Sequence, residues 1–203
     1  MMKVLGIVGS VFGTKTRIAM QNITFSDGVD YEIVDLSELD IMFADGRDFR
    51  DFEGDTRTLV EKIIAADAII VGTPVFQASI PGALKNVFDL LPVDSIKDKV
   101  VGIVVTAGSS RHYLVAEYQL KPVLTYMKAA LLEKYVFIEG RDFLKEDIVE
   151  DDVHFRLRNL ARQVENRVDQ IKMNMRRATT SSGDSNYQPP GMFSRINSYD
   201  PLN

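Results

Sequence analysis

Three short stretches carry residue types that could hold a flat, charged ligand. The first, GSVFGTKTR at residues 9–17, supplies two glycines, three hydroxyls and two cations. It opens a helical pattern. Backbone N–H groups at a helix start carry partial positive charge and suit a phosphate. Ser10, Thr14 and Thr16 would donate hydrogen bonds, and Lys15 and Arg17 would supply charge. The stretch matches neither GxxxxGK[ST] nor GxGxxG, which disfavours a P-loop or a dinucleotide fingerprint. The same residues also read as an ordinary glycine turn before a threonine-capped helix.

The second stretch, GTPVFQASIPG at residues 72–82, is apolar and twice punctuated by proline. A flat aromatic ring could lie on Pro74, Val75 and Phe76, with Gln77 and the backbone at its polar edge. The competing reading is a loop tucked into the core. The third stretch, TAGSSRHY at residues 106–113, has small residues that permit close approach. Gly108 and Ser109 would meet the ligand, Ser110 could donate to a carbonyl, and Arg111 or His112 could face an anion. The second histidine, His154, has no evident partner in the sequence.

Side-chain catalysis has no visible machinery. GxSxG, HExxH and paired-carboxylate motifs are absent. The chain has no cysteine, which removes thiol nucleophiles, disulfides and thiolate metal sites. A phosphate loop, a flat apolar loop and a small-residue loop together imply a bound flavin that carries its own chemistry.

The elements that must bring these loops together alternate in type. Apolar, β-rich runs at residues 4–8, 31–35, 68–72, 100–106 and 135–139 predict five strands. Helical periodicity covers residues 16–23, 55–66, 113–130 and 152–175, and a further helix starts with Pro81 as its first residue and continues through Leu84, Val87, Phe88 and Leu91. Strands alternating with helices give an α/β fold with a parallel sheet covered on both faces. The expectation is a flavodoxin-like doubly wound sheet of order 2-1-3-4-5, whose ligand sits outside the strands' carboxyl ends. That edge carries all three loops. Residues 1–177 form the expected domain. Residues 178–203 turn polar and read as a tail or an arm.

Pro122 falls inside the helix predicted over residues 113–130. It has no N–H, so the carbonyl of Tyr118 loses its helical partner. The helix must kink or widen into a π-turn near Tyr118.

Bulk properties narrow the function classes. The chain has 203 residues, 45% hydrophobic and 26% charged, with a net charge of -5 and a pI near 5.1. That length and balance suit one domain with a real core. An acidic chain without a basic stretch argues against nucleic acid. No apolar run reaches the length of a membrane span, and the N-terminus does not read as a signal peptide, so the expected location is the cytoplasm.

The stretch AIIVGTPVFQASIPGALKNVFDLL at residues 68–91 resembles the NADPH-dependent FMN reductase family. The stretch KVVGIVVTAGSSRHYLVAEYQLKPVLTYMKA at residues 99–129 is more specifically similar to reductases of two-component alkanesulfonate monooxygenase systems. The similarity runs from about Lys3 to Asp142. It implies FMN phosphate at Ser10, Thr14, Thr16 and Arg17, the isoalloxazine over Pro74, Val75, Phe76 and Gln77, and Gly108 and Ser109 at the ring edge. It implies hydride transfer from NADPH and reduced FMN leaving for a flavin-dependent monooxygenase. It also implies a homodimer or homotetramer, with Tyr118 in a π-helical turn at the subunit interface and linked to flavin release. Two positions depart from the family pattern. Ser10-Val11-Phe12 stands where Ser-Pro-Arg is usual, leaving NADPH against NADH open, and Phe76 stands where Tyr is common. Three alternatives remain at this level: an FMN-retaining quinone or azo reductase, a flavodoxin-like electron carrier, and a flavodoxin-like module without redox function.

Overall fold

Strands β1 (Met2–Val8), β3 (Ala68–Pro74) and β4 (Val100–Ala107) are runs of Val, Ile, Leu and Ala buried along most of their length. Strands covered by helices on both faces need that composition, because neither side meets water. β2 (Val29–Asp35) alternates more and lies at an edge, paired in parallel with β1. The computed structural model describes residues 1–181. Its main sheet runs β2-β1-β3-β4-β5, every pairing parallel, with helices between the strands. This is the predicted flavodoxin-like topology.

The covering helices are α1 (Lys15–Gln21), α2 (Gly54–Ala65), α3 (Gly82–Asp89), α4 (Lys121–Tyr126) and α5 (Asp151–Ser181). The main core joins Ile7, Val71 and Ile103 of the sheet to Leu59 and Ile63 of α2, Leu84 of α3 and Leu124 of α4. Pro81, predicted as the first helical residue, is instead the N-cap of α3, which starts one residue later at Gly82. Residues 36–54 are pinned as a connection. Asn86 donates to the Met42 carbonyl and accepts from Ala44 N–H, both at 2.9 Å.

Two expectations need correction. The fifth strand is split. β5 (Ala130–Leu131) and β6 (Val136–Glu139) both pair with β4, and the chain between them bows away. The Glu133 carbonyl there is taken by the Lys121 ammonium at 2.8 Å rather than by the sheet. The single helix over residues 113–130 is also broken. A 3₁₀ turn at Ser110–His112 and a π-helical turn at Ala116–Leu120 precede the short α4. Pro122 is the cause, since a missing N–H two residues into α4 forces the preceding carbonyls to seek partners five residues on. A two-stranded antiparallel sheet of β7 (Phe143–Leu144) and β8 (Asp147–Ile148) precedes α5.

The chain divides into a unit of Met1–Gln170, which holds the sheet, and a unit of Ile171–Asn203. Of the second unit, the described part is the end of α5, which runs to Ser181 and so into the segment expected to be tail. The remainder of that expected tail, residues 182–203, lies outside the described residues.

Two substitutions test this packing. Gly9 donates its N–H to the Gly72 carbonyl at 2.7 Å, and a Cβ on Gly9 would lie 2.9 Å from that same oxygen. Gly9→Ala should lower unfolding free energy by about 1–3 kcal/mol in a urea titration; unchanged stability would mean the β1–β3 edge is looser than described. Lys121 is 16% exposed, bonds Glu117 at 2.6 Å and stands 5.2 Å over the Tyr135 ring. Lys121→Met keeps the aliphatic stem but strands the Glu133 carbonyl. It should cost about 1–2 kcal/mol and speed amide exchange across the π-turn. Exchange that stays slow there would assign the turn to Pro122 alone.

Candidate flavin-binding site

The carboxyl ends of β1, β3 and β4 meet at one edge of the sheet. Pro74 lies in register with Thr106, and Val75 donates its N–H to the Thr106 carbonyl at 3.1 Å. Between the three loops is a cleft of about 380 Å³. Thr14, Lys15 and Thr16 line it from the first loop, Pro74, Val75 and Phe76 from the second, and Gly108 from the third. Seven residues singled out by the sequence therefore converge on one cavity.

Each wall has a physical basis. Gly13 adopts φ +86° with open space around it, a conformation that only glycine takes without strain. It turns the chain into α1. Thr14 is the N-cap of α1 but its side chain makes no capping bond, and no acidic residue occupies the first turn. Thr14 lines the cleft, and neither its hydroxyl nor a first-turn carboxylate caps the start of α1. The Lys15 ammonium donates to the Gly140 carbonyl at 3.4 Å and lies 5.3 Å over the Phe143 ring, which holds a cation at the cleft. Thr16 is buried, and its hydroxyl shares a 2.7 Å hydrogen bond with that of Thr106.

The second loop is tighter than a proline-stiffened arch. Gln77 and Ala78 sit at φ +47° and +60°, between reciprocal 2.9 Å backbone bonds joining Phe76 and Ser79. Positive φ at both central residues defines a primed turn, costly for residues with a Cβ. Such strain is typical of functional loops. Its result is that Phe76 stands at the cleft with 37% of its surface open.

Other predicted residues lie elsewhere. Arg17 is spent on Asp35 at 2.6 Å and Glu38 at 2.9 Å, where it ties α1 to the end of β2. Those carboxylates hold its guanidinium firmly protonated. Ser10 is buried beneath the first loop. Ser10, Arg17, Gln77, Ser109 and His112 are not among the residues lining the cleft. Thr106, Ala107, Phe12 and Gly13 do line it and were not chosen from the sequence. Thr106 was legible, since it is the last residue of the predicted strand 100–106, whose carboxyl edge must face the ligand. Phe12, 80% exposed, carried no such signal.

A flavin mononucleotide matches this donor set. The hydroxyl, cation and helix start suit a dianionic phosphate, and the apolar face of Pro74, Val75 and Phe76 suits a flat ring. A Cβ on Gly108 would meet nothing within 4 Å, so a ring edge can approach that backbone.

Comparison with known proteins agrees. The model of the NADPH-dependent FMN reductase family matches residues 2–142. A Geobacillus thermodenitrificans NAD(P)H-dependent FAD/FMN reductase is 37% identical over 169 residues, covering 80% of this chain and 91% of its own. The NADH-dependent FMN reductase SfnF of Pseudomonas fluorescens is 35% identical over 99 residues, 49% of this chain and 53% of its own. Among solved structures, the apo form of the NADH:FMN oxidoreductase EMOB superposes with a TM-score of 0.63 at 25% identity, covering 86% of this chain and 90% of the other. Sheet order, converging loops and sequence similarity lead to one assignment: this chain belongs to the NADPH-dependent FMN reductase family of oxidoreductases.

Proposed function

We propose that the protein reduces FMN with a nicotinamide dinucleotide and releases the reduced flavin to a flavin-dependent monooxygenase. The observation that carries this reading is the cleft itself, which joins an uncapped helix start and a cation to an exposed apolar face. FMN, when bound, accepts hydride and supplies the redox chemistry. The chain's own part is binding and orientation. Thr14 and Lys15 hold the phosphate, Ser10 and Thr16 support the loop from beneath, and Pro74, Val75 and Phe76 seat the ring. No side chain at the cleft needs to act as acid or base; His112 lies off it.

The half-open face of Phe76 favours an exchangeable flavin over a retained one. Retention would make the protein a quinone or azo reductase, the second reading. Leu114, Tyr118 and Tyr126 are each at least 50% exposed on the segment through the π-turn. That apolar exposure supports a homodimer or homotetramer built on this segment. Among the described residues no helix is long and apolar enough to cross a membrane, and the working location is the cytoplasm.

Oxidation of NADH or NADPH by the purified protein, with and without added FMN, tests the function. Turnover should require added FMN and saturate with it. A yellow protein that turns over without added flavin would favour the retaining reductase. A yellow protein without turnover would favour an electron carrier. Thr14→Ala should leave stability within about 0.5 kcal/mol, because the hydroxyl caps nothing, yet weaken FMN binding roughly tenfold. Equal FMN affinity would remove Thr14 from the phosphate site. Tyr118→Ala should hold FMN more tightly and lose oxygenase-coupled turnover; unaltered release kinetics would break the link between the π-turn and flavin transfer.

A further inference from the structure

A second cavity, about 580 Å³, opens on the other side of the third loop from the flavin cleft. The two share a wall. Gly108 faces the flavin cleft, while Ser110 and Tyr113 face the second cavity. The Gly140 turn completes the wall, packed so that a Cβ on Gly140 would lie 3.3 Å from the Lys15 ammonium and 3.6 Å from the Gly108 carbonyl. A dinucleotide whose nicotinamide meets a flavin in the first cleft has an adenosine half to lodge, and this cavity adjoins the wall made by Gly108 and Gly140.

Its lining suits an adenosine. Tyr113 and Phe137 meet edge to face at 5.4 Å and present an aromatic wall. Of the charges around it, Arg141 is paired with Glu139 and Asp142, and Arg156 with Asp152 and the Phe137 carbonyl. One lining carboxylate, Glu150, makes no hydrogen bond or ion pair among the described residues, and neither does the Ser110 hydroxyl. A free carboxylate beside an aromatic wall is the group that accepts hydrogen bonds from a ribose diol, and it repels a ribose carrying a 2′-phosphate. With Glu139, Asp142 and Asp152 already offsetting the two guanidiniums, the cavity keeps an excess of negative charge.

We propose that this cavity binds the adenosine ribose of the nicotinamide dinucleotide, and that Glu150 makes the protein prefer NADH over NADPH. The proposal rests on the reading of the chain as a flavin reductase, but its test does not need flavin turnover. ADP-ribose and its 2′-phosphorylated form are titrated calorimetrically against the full-length protein. The wild type should bind ADP-ribose at least roughly tenfold tighter, and Glu150→Gln should erase most of that difference. Equal affinities in the wild type, no binding of either compound, or a ratio unmoved by Glu150→Gln would overturn the proposal. Arg111, in the third loop and without an ion pair among the described residues, is the rival determinant. Tighter binding of the 2′-phosphorylated form, lost in Arg111→Ala, would assign the phosphate to Arg111 and also overturn it. ADP-ribose binding by a protein that never reduces flavin would leave the cavity assigned and remove the reductase reading. Flavin reduction without ADP-ribose binding would do the reverse.

Discussion

The buried hydrogen bond between the hydroxyls of Thr16 and Thr106, 2.7 Å long, joins α1 to β4 across the intervening β3. Both side chains are almost wholly enclosed, so water cannot replace either partner. The bond sets the distance between the first loop and the third, and with it the width of the cleft. Two further contacts fix the same edge. Gly9 N–H reaches the Gly72 carbonyl, and Val75 N–H reaches that of Thr106. The three loops are therefore not independent. Each hangs from a strand end whose neighbour it also bonds.

This explains why a cleft can be rigid when its walls are loops. The second loop stores strain at Gln77 and Ala78, and the sheet edge that anchors it at Val75 makes the strain sustainable. The π-turn beside the third loop is over-determined in the same way. Pro122 removes one helical bond, while Lys121 ties Glu117, the Glu133 carbonyl and the Tyr135 ring around the turn. Burial, with the nearby Tyr113 and Glu117, raises the Tyr135 phenol above its ordinary range, so it stays a neutral donor to the Tyr113 carbonyl.

Much of this was readable in the sequence, for identifiable reasons. Short apolar runs such as AIIVG and VVGIVV, alternating with helical patterns, fit strands covered on both faces, and the order and ligand edge were then those of the common doubly wound sheet. Pro122 announced a break near Tyr118, because a missing N–H is a local fact; that the break is a π-turn rather than a kink came from the family resemblance. Residue roles within the loops were less legible. Arg17 looked like a phosphate ligand until its partners, Asp35 and Glu38, proved to lie at the end of β2, eighteen residues and more away. A side chain's availability depends on long-range neighbours that spacing does not reveal. The split of the last strand depends on the same kind of contact, between Lys121 and Glu133. Glu150 and the second cavity left no motif at all, since their walls come from the third loop, β6 and the start of α5.

The central claim is that one cleft, bounded by the first, second and third loops, is where FMN binds. Amide hydrogen exchange with and without FMN tests it directly. Added FMN should slow exchange at residues 13–16, 75–76 and 107–108 and leave the β2 edge unchanged. Protection confined to other segments, or none at saturating FMN, would contradict the account.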